Sequence, residues 1–533
     1  MNPVQVVEAV PADLSSLGLE SAFSWIDWAI VGLYLAFTVY VGVRVNRYVK
    51  GMGSFLVAGR ALDSHISIAT LVGSELGLVT LMYASQKGFT GGFAAFHIGV
   101  VAGVATLVVG LTGFIVVPLR QMGVMTIPEF YDKRFGKGVR VTGAIILALA
   151  GILNMGMFLK AGALFVAGLT GLSDPNTINI IMTVLILLVL VYTTLGGMLS
   201  VVITDYFQFV VLSFGLLVAC AFAVAELGWK PIVDAVSQVH GEAGFNPLHD
   251  GGFGLDYVVW MIFTAGIVSC AVWQTSVMRA CSASSVQVVK RLYTWASIGF
   301  LVRFLIPQFL GICALAYLWN IAGGQALFSG DASIMDNQVD SLKAMPVFLS
   351  QILPVGVIGV IAAGMLAAFM STHDSYLLCW ASVLAHDVVG PLRKDGLSDK
   401  QEMKVARALI LVIAAFLLVW SLWFPMKQDL WDYMAVTGAI YFTGAFALLL
   451  GGLYWKRASR IGAYLALACG CCAVFGLTDM QNSLGKLIGQ DIAWPSEKVG
   501  LITTAGAIVL MVVGSLLFPD RNPRSTESLM EVS

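Results

Sequence analysis

Six ionisable side chains, Glu75, Lys160, Asp205, Arg303, His373 and Asp374, stand inside stretches that are otherwise apolar. A charge held near the centre of a bilayer is costly unless pairing or water relieves it, so each is a candidate for handling an ion or a polar solute. The densest local chemistry is Ala367-Ala368-Phe369-Met370-Ser371-Thr372-His373-Asp374-Ser375. The hydroxyls of Ser371 and Thr372, with the Ala368 carbonyl, place several oxygens on one side of a helix, a half-shell for a hard cation such as sodium. The same hydroxyls can instead bond their own carbonyls four residues back. Asp374 can cap or pair with a neighbouring helix.

Two other apolar segments are interrupted. Glu75 lies in Ser67–Lys87, diluted by Gly73, Ser74, Gly77 and Thr80. Small residues there permit a broken helix whose carbonyls face a cation, or else close helix packing. The segment Phe263–Gln274 carries Gly266, Ser269, Trp273 and Gln274 in the same manner, the last two suited to lining a pocket or to packing.

The elements that position these groups follow from composition. Of 533 residues 58% are hydrophobic and 11% charged, against about 25% charged in an ordinary soluble domain. Such a chain is solvated mainly by lipid, and it repeats the length of roughly 20 apolar residues that one crossing needs. About thirteen spans are expected, near 26–46, 64–86, 92–119, 140–171, 176–195, 197–225, 254–282, 287–320, 353–386, 403–424, 428–453, 459–479 and 498–518. Basic loops alternate with acidic or neutral ones: Arg44, Arg47, Lys50 and Arg60 follow the first span, Arg120, Lys133, Arg134, Lys137 and Arg140 the third, and Lys290 and Arg291 the seventh. The parity continues with Arg393, Lys394, Lys400, Lys404 and Arg407, then Lys456, Arg457 and Arg460, then Arg521 and Arg524. The positive-inside rule then puts the N-terminus outside and the C-terminus in the cytoplasm of a cell inner (plasma) membrane. With Glu8, Asp13 and Glu20 and no Lys or Arg in the first 24 residues, the first span reads as a retained anchor rather than a secretory signal.

The longest polar stretches, near 226–252 and 321–346, are too short for a soluble domain. A phosphate-cradling Gly-Lys-Ser/Thr loop is missing, which leaves ATP-driven pumping unsupported. The eight cysteines show no metal-ligand spacing, and without a visible nucleophile–base arrangement the chain is not expected to be an enzyme. Expected partners are a small-molecule solute and the lipid bilayer, with no nucleic acid. The second and seventh spans, both interrupted, are five apart, the pattern of a midplane site between two inverted five-helix halves.

Four motifs carry a family resemblance: Phe55-Leu56-Val57-Ala58-Gly59-Arg60; Thr126-Ile127-Pro128-Glu129-Phe130 with Lys133-Arg134-Phe135-Gly136; Gly196-Gly197-Met198-Leu199-Ser200-Val201-Val202-Ile203-Thr204-Asp205 with Gln208; and Ala367–Thr372. In this order the chain, over roughly residues 26 to 460, resembles the sodium:solute symporter family of proline, pantothenate, monocarboxylate and sugar symporters. The resemblance implies an all-α polytopic membrane protein with a leucine-transporter-like 5+5 inverted-repeat core. Residues 1–62 would hold the extracellular N-terminus and first helix, 63–455 the core (repeats 63–225 and 253–455), and 456–533 two further helices and a cytoplasmic tail.

Carried over residue by residue, the family's sodium site becomes the carbonyls of Gly73, Leu76 and Ala368 and the hydroxyls of Ser371 and Thr372, with Asp205 as a nearby acidic residue. Solute would meet Glu75, Thr80, Gly266, Ser269, Trp273, Gln274 and Arg303, while His373 and Asp374 are candidates for coupling or gating. Glu75 stands where proline-type members have an aspartate and sugar members a neutral amide. Arg303 stands where sugar members have a lysine; it suits bidentate capture of a carboxylate, or an ion pair with Glu75 or Asp374. These departures favour an amino acid or carboxylate over a sugar, carried inward with sodium by alternating access. Proton coupling through Glu75 or Asp374, and solute sensing without transport, are the rival readings.

Overall fold

The computed structural model describes residues 14–45, 60, 62–172, 174–328 and 333–521. The motif residues 55–59, the N-terminal Glu8 and Asp13, and Arg47, Lys50 and Arg524 lie outside them. So do the side chains of 194–204 and of Gln208, so most of the third motif is fixed only as helix.

The described chain is helical apart from one isolated bridge between Leu62 and Ala283. In order, the helices are α1 (Trp25–Val45), α2 (Ser64–Glu75), α3 (Leu78–Gly91), α4 (Phe96–Thr112), α5 (Ile127–Phe135), α6 (Lys137–Asn154), α7 (Phe158–Thr170), α8 (Pro175–Leu227) and α9 (Trp229–His240). Then come α10 (Gly254–Trp260), α11 (Gln274–Ser282), α12 (Val286–Asn320), α13 (Gln338–Ile352), α14 (Val357–Val383), α15 (Asp399–Trp423), α16 (Leu430–Tyr454), α17 (Arg460–Cys471) and α18 (Ser496–Leu517). Among the described residues nine helical stretches are long and apolar enough to cross a membrane; the pair Arg460–Gly476 and Thr478–Ile488, bent by 89°, makes a tenth, and Trp25–Thr38 and Pro175–Val191 are shorter apolar helices. Side chains such as Leu187, Phe214, Val412, Ile502 and Leu517 are more than half exposed, as an outer face solvated by lipid requires.

Two differences from the sequence expectation are local. The span expected near 92–119 ends at Thr112, because Gly113 takes a left-handed conformation (φ 72°) that closes the helix. The polar stretches near 226–252 and 321–346 contain α9 and the start of α13; α9 buries Ile232, Ala235 and Val236 along one face.

The expected fifth and sixth spans both fall on α8, which is helical for 53 residues. It is nonetheless not one straight rod. Gly162 faces both Phe369 and Leu185, while Gly364, only five residues from Phe369, faces Val211 and Leu212. A straight helix would set Leu185 and Leu212 about 40 Å apart, so the helical run cannot be straight between them, and both its parts flank α14. Helix α14 is consequently the most enclosed span, with 89% of its most apolar window buried.

The Thr126–Gly136 motif proves to be a staple. Thr126 caps α5 by accepting the Glu129 N–H (3.2 Å), and Glu129 reaches back to the Met125 N–H (2.8 Å). Arg134 then gathers the carbonyls of Gly452, Trp455, Lys456 and Ala458 at the end of α16. A cation over orphan C-terminal carbonyls is favourable.

Candidate solute cavity and ion cradle

Helix α2 stops at Glu75 because Leu76 (φ −87°, ψ 57°) and Gly77 (φ −84°, ψ 165°) leave helical space, and α3 restarts at Leu78. Only glycine fits at 77, since a Cβ there would sit 1.8 Å from Thr372 Oγ1. The seventh span is interrupted twice. Met261–Val268 widens into a π-helix, and Trp273 (φ −66°, ψ 118°) breaks the chain before α11. Single π stretches inside α-helices recur at functional sites. Both interruptions expected from the sequence are therefore present.

Between the breaks lies a cavity of about 110 Å³, room for about four waters at the roughly 30 Å³ each takes in the liquid. Glu75, Thr80, Gly266, Ser269, Trp273 and Arg303 all line it, as expected, joined by Tyr83, Asn154, Tyr376 and Trp431. Glu75 Oε2 receives Arg303 Nη1 at 3.2 Å, and Oε1 receives the hydroxyls of Thr275 (3.0 Å) and Ser276 (3.4 Å). Thr80 Oγ1 donates to the Glu75 carbonyl at 2.8 Å and itself accepts from Tyr83 OH at 3.2 Å. Arg303 also lies against the rings of Phe300 and Phe304, with its carbon 4.3 and 4.8 Å from their centroids. Of the two ion pairs open to Arg303, the structure thus forms the one with Glu75. Trp273 Nε1 donates to Tyr376 OH at 3.0 Å across the cavity wall.

Gln274 departs from expectation. The break at Trp273 rotates it out of the cavity, and its Oε1 accepts the Ile127 N–H at 3.0 Å, tying α11 to α5.

The ion cradle forms where α2 ends against α14. Thr372 Oγ1 lies 3.0 Å from the Ala368 carbonyl and 3.3 Å from that of Ser74. Ser371 donates to Asp205. At the end of α2 the Leu76 N–H bonds Val72 O, the Glu75 carbonyl receives Thr80 and Arg303, and among the described residues the Gly73 and Leu76 carbonyls accept no hydrogen bond. Unsatisfied carbonyls beside two hydroxyls are the donor set a sodium ion accepts. The expected ligands therefore fit the ion.

Asp205 is fully buried and receives the hydroxyls of Thr70 and Ser74, both at 2.7 Å, besides that of Ser371. It is the centre of a network joining α2, α8 and α14. The residue the sequence reading missed is Arg279 on α11, whose Nη2 lies 3.5 Å from Asp205 Oδ2. An arginine inside the span expected at 254–282 belongs with the other intramembrane charges, and that was the available signal. Lys87 is a second omission of the same kind; it pairs with Asp429 (3.3 Å) and Asp432 (3.2 Å) at the head of α16.

Three further candidates lie away from the cavity wall. His373, fully buried, bonds the Phe369 carbonyl (2.9 Å) and packs against the rings of Phe369 and Phe158. Asp374, also fully buried, accepts from Ser375 Oγ at 3.4 Å. Lys160 donates to the Phe424 carbonyl (3.0 Å) at the end of α15.

Broken helices that face each other across a cavity at membrane depth, one of them lending oxygens to an ion cradle, define a secondary transporter. The sequence profile of the sodium:solute symporter family matches residues 55–470. The chain belongs to that family, whose members are sodium-coupled transporters and not enzymes.

The chain is 26% identical to the sodium/glucose cotransporter of Vibrio parahaemolyticus over 476 residues, 84% of each protein. It is 24% identical to the sodium/sialic acid symporter of Proteus mirabilis over 464 residues, 85% of this chain and 89% of that one. With the human sodium/myo-inositol cotransporter it shares 26% over 495 residues, 82% of this chain and 64% of that one. Among solved structures, the substrate-bound outward-open state of a sodium-coupled sialic acid symporter superposes with a TM-score of 0.76 at 20% identity, covering 94% of this chain and 100% of that one. MhsT in complex with L-phenylalanine gives 0.51 at 14% identity, over 86% and 98%. These likenesses show a leucine-transporter-like fold.

Proposed function

We propose that the chain carries a small organic solute bearing an ionisable group, an amino acid or carboxylate rather than a sugar, into the cell together with sodium. The observation behind this reading is the Glu75–Arg303 pair: opposite charges on the wall of the solute cavity can each be redirected to a charged group of the solute. The relatives named for glucose, sialic acid and myo-inositol keep the sugar class in the test. Sodium would bind at Gly73, Leu76, Ala368, Ser371 and Thr372, bridging α2 and α14. Because it bridges two helices that separate when the site opens inward, its release is linked to that opening. An inward-negative potential of about 100 mV adds about 2.3 kcal/mol per translocated charge.

The loop charges support a plasma-membrane setting with the N-terminus outside and the C-terminus inside, and the two breaks support repeats over 63–225 and 253–455. Trp273 and Trp431 line the cavity, so tryptophan fluorescence of the purified protein is a direct reporter. A panel of amino acids, carboxylates and sugars, each in sodium and in potassium, is expected to give a sodium-only response to a charged solute. Responses confined to neutral sugars would overturn the substrate class, and responses indifferent to sodium would return proton coupling or sensing. In the Ser371→Ala/Thr372→Ala double variant the half-saturating sodium concentration is expected to rise by about tenfold or more, since two of the ion's oxygens are gone.

A further inference from the structure

Arg279 reaches three helices besides its own, α2, α8 and α14. It is 1% exposed. Its guanidinium donates to the Thr70 carbonyl (3.2 Å) and Ser74 Oγ on α2, to Ser375 Oγ (3.0 Å) on α14, and to the Thr275 carbonyl (3.1 Å) of its own helix. The approach to Asp205 on α8, 3.5 Å, is long beside the roughly 2.7–2.9 Å of a committed charge-assisted hydrogen bond. The positive charge is therefore shared among hydroxyls and a carboxylate.

Those partners are the neighbours of the cradle itself. Asp205 holds Ser371, and the Ser74 carbonyl faces Thr372. A sodium ion at Ser371 and Thr372 would thus sit one residue away from the guanidinium, with Asp205 between them. The two cations repel each other and are drawn to the same carboxylate, at a depth where screening is weak. Arg279 also rides on α11, the half-helix whose Thr275 and Ser276 hold Glu75 and which begins directly after Trp273 in the cavity wall. One short element therefore contacts both Glu75 and Asp205.

We propose that Arg279 is a tethered cation that competes with sodium for the charge of Asp205, so that sodium occupancy is passed through the half-helix Gln274–Ser282 to Glu75 and the solute cavity. The proposal rests on the sodium site assigned above to Ser371 and Thr372 and deepens it by naming a positioning residue outside the ligand set.

The test is a double-mutant cycle on the full-length protein, with sodium chloride titrated against potassium chloride at constant ionic strength and read by tryptophan fluorescence. Arg279→Gln is expected to lower the half-saturating sodium concentration by about tenfold or more, because Asp205 is then uncompensated. Arg279→Lys, which keeps the charge, stays within about threefold of the parent protein. Asp205→Asn raises the requirement by about tenfold or more, and adding Arg279→Gln to it leaves the value within about threefold of Asp205→Asn alone, because the contested charge is already gone; the two changes are then coupled by about tenfold. A merely structural arginine would not produce opposite shifts in the two single variants. An unchanged or raised sodium requirement in folded Arg279→Gln overturns the proposal. If that variant does not fold, Asp205→Asn against the double variant decides: a double variant returned to the parent value overturns it, because Arg279 then acts on sodium without Asp205. The Ser371→Ala/Thr372→Ala protein separates the two layers. If it keeps its sodium requirement, the sodium site falls and this proposal with it; if it loses sodium response while the cycle shows no coupling, only the role of Arg279 falls.

Discussion

Two carboxylate–arginine pairs lie near the α2 break, and they differ in what is left over. Asp205 and Arg279 sit in a sealed network, 0% and 1% exposed, where hydroxyls from α2 and α14 occupy the carboxylate. Glu75 and Arg303 are 9% and 8% exposed, and both open onto the cavity. Among the described residues Arg303 Nε has no hydrogen-bond partner. A buried pair is costly to assemble and costly to break on one side, so its retention calls for a use. The sealed pair has capacity only for a neighbouring charge, which suits an ion site. The open pair has donors and oxygens to spare, which suits a solute.

The largest expected effect breaks the open pair. Arg303→Met leaves Glu75 as an unpaired buried carboxylate, a change on the order of 3–5 kcal/mol. Sodium-driven solute uptake into proteoliposomes should fall by about a hundredfold or more. Adding Glu75→Gln should restore protein yield without restoring uptake, because packing is repaired while recognition is not. Uptake surviving in either variant would mean that the open pair is structural and that the contrast between the two pairs is false.

A middle-sized effect sharpens the sealed side. Gly77→Ala places a Cβ 1.8 Å from Thr372 Oγ1, so either the hydroxyl or the α2 break must move. The half-saturating sodium concentration is expected to rise by about tenfold, a loss of the size expected when a ligand oxygen is displaced. Solute binding at saturating sodium should change less, since Gly77 contributes no side chain to the cavity. A variant that lost solute binding and kept its sodium requirement would reverse the assignment of the two regions.

What was legible in advance follows this division. The Ala368, Ser371 and Thr372 set was readable because helix spacing alone puts positions 368, 371, 372 and 375 on one face. The breaks were readable because Gly73, Gly77, Gly266 and Ser269 dilute spans that are otherwise apolar. Glu75 with Arg303 required a contact between residues 228 apart, which the sequence could offer only as one of two pairings. Gln274 escaped because its direction depends on one ψ angle at Trp273, a quantity no composition encodes. Arg279 escaped for a different reason: it lies near the end of its span, where an arginine also reads as an interfacial charge, and only the tertiary structure carries it inward to Asp205.

The smallest expected effect lies one residue from the cradle. His373 follows Thr372 in sequence, but a step of one residue turns about 100° around a helix, and the ring faces Phe369 and Phe158 instead of the ion. Its Nδ1 is held by the carbonyl of its own preceding turn, so it forms no polar link to α2, α8 or α11 among the described residues. His373→Leu keeps the apolar contacts and comparable bulk. Sodium and solute half-saturation should therefore stay within about twofold, and uptake should remain driven by sodium alone. Uptake that became independent of sodium, or was lost from a folded His373→Leu protein, would place a titrating group in the coupling path. It would also move the functional boundary from the 371/372/375 face of α14 to the whole helix.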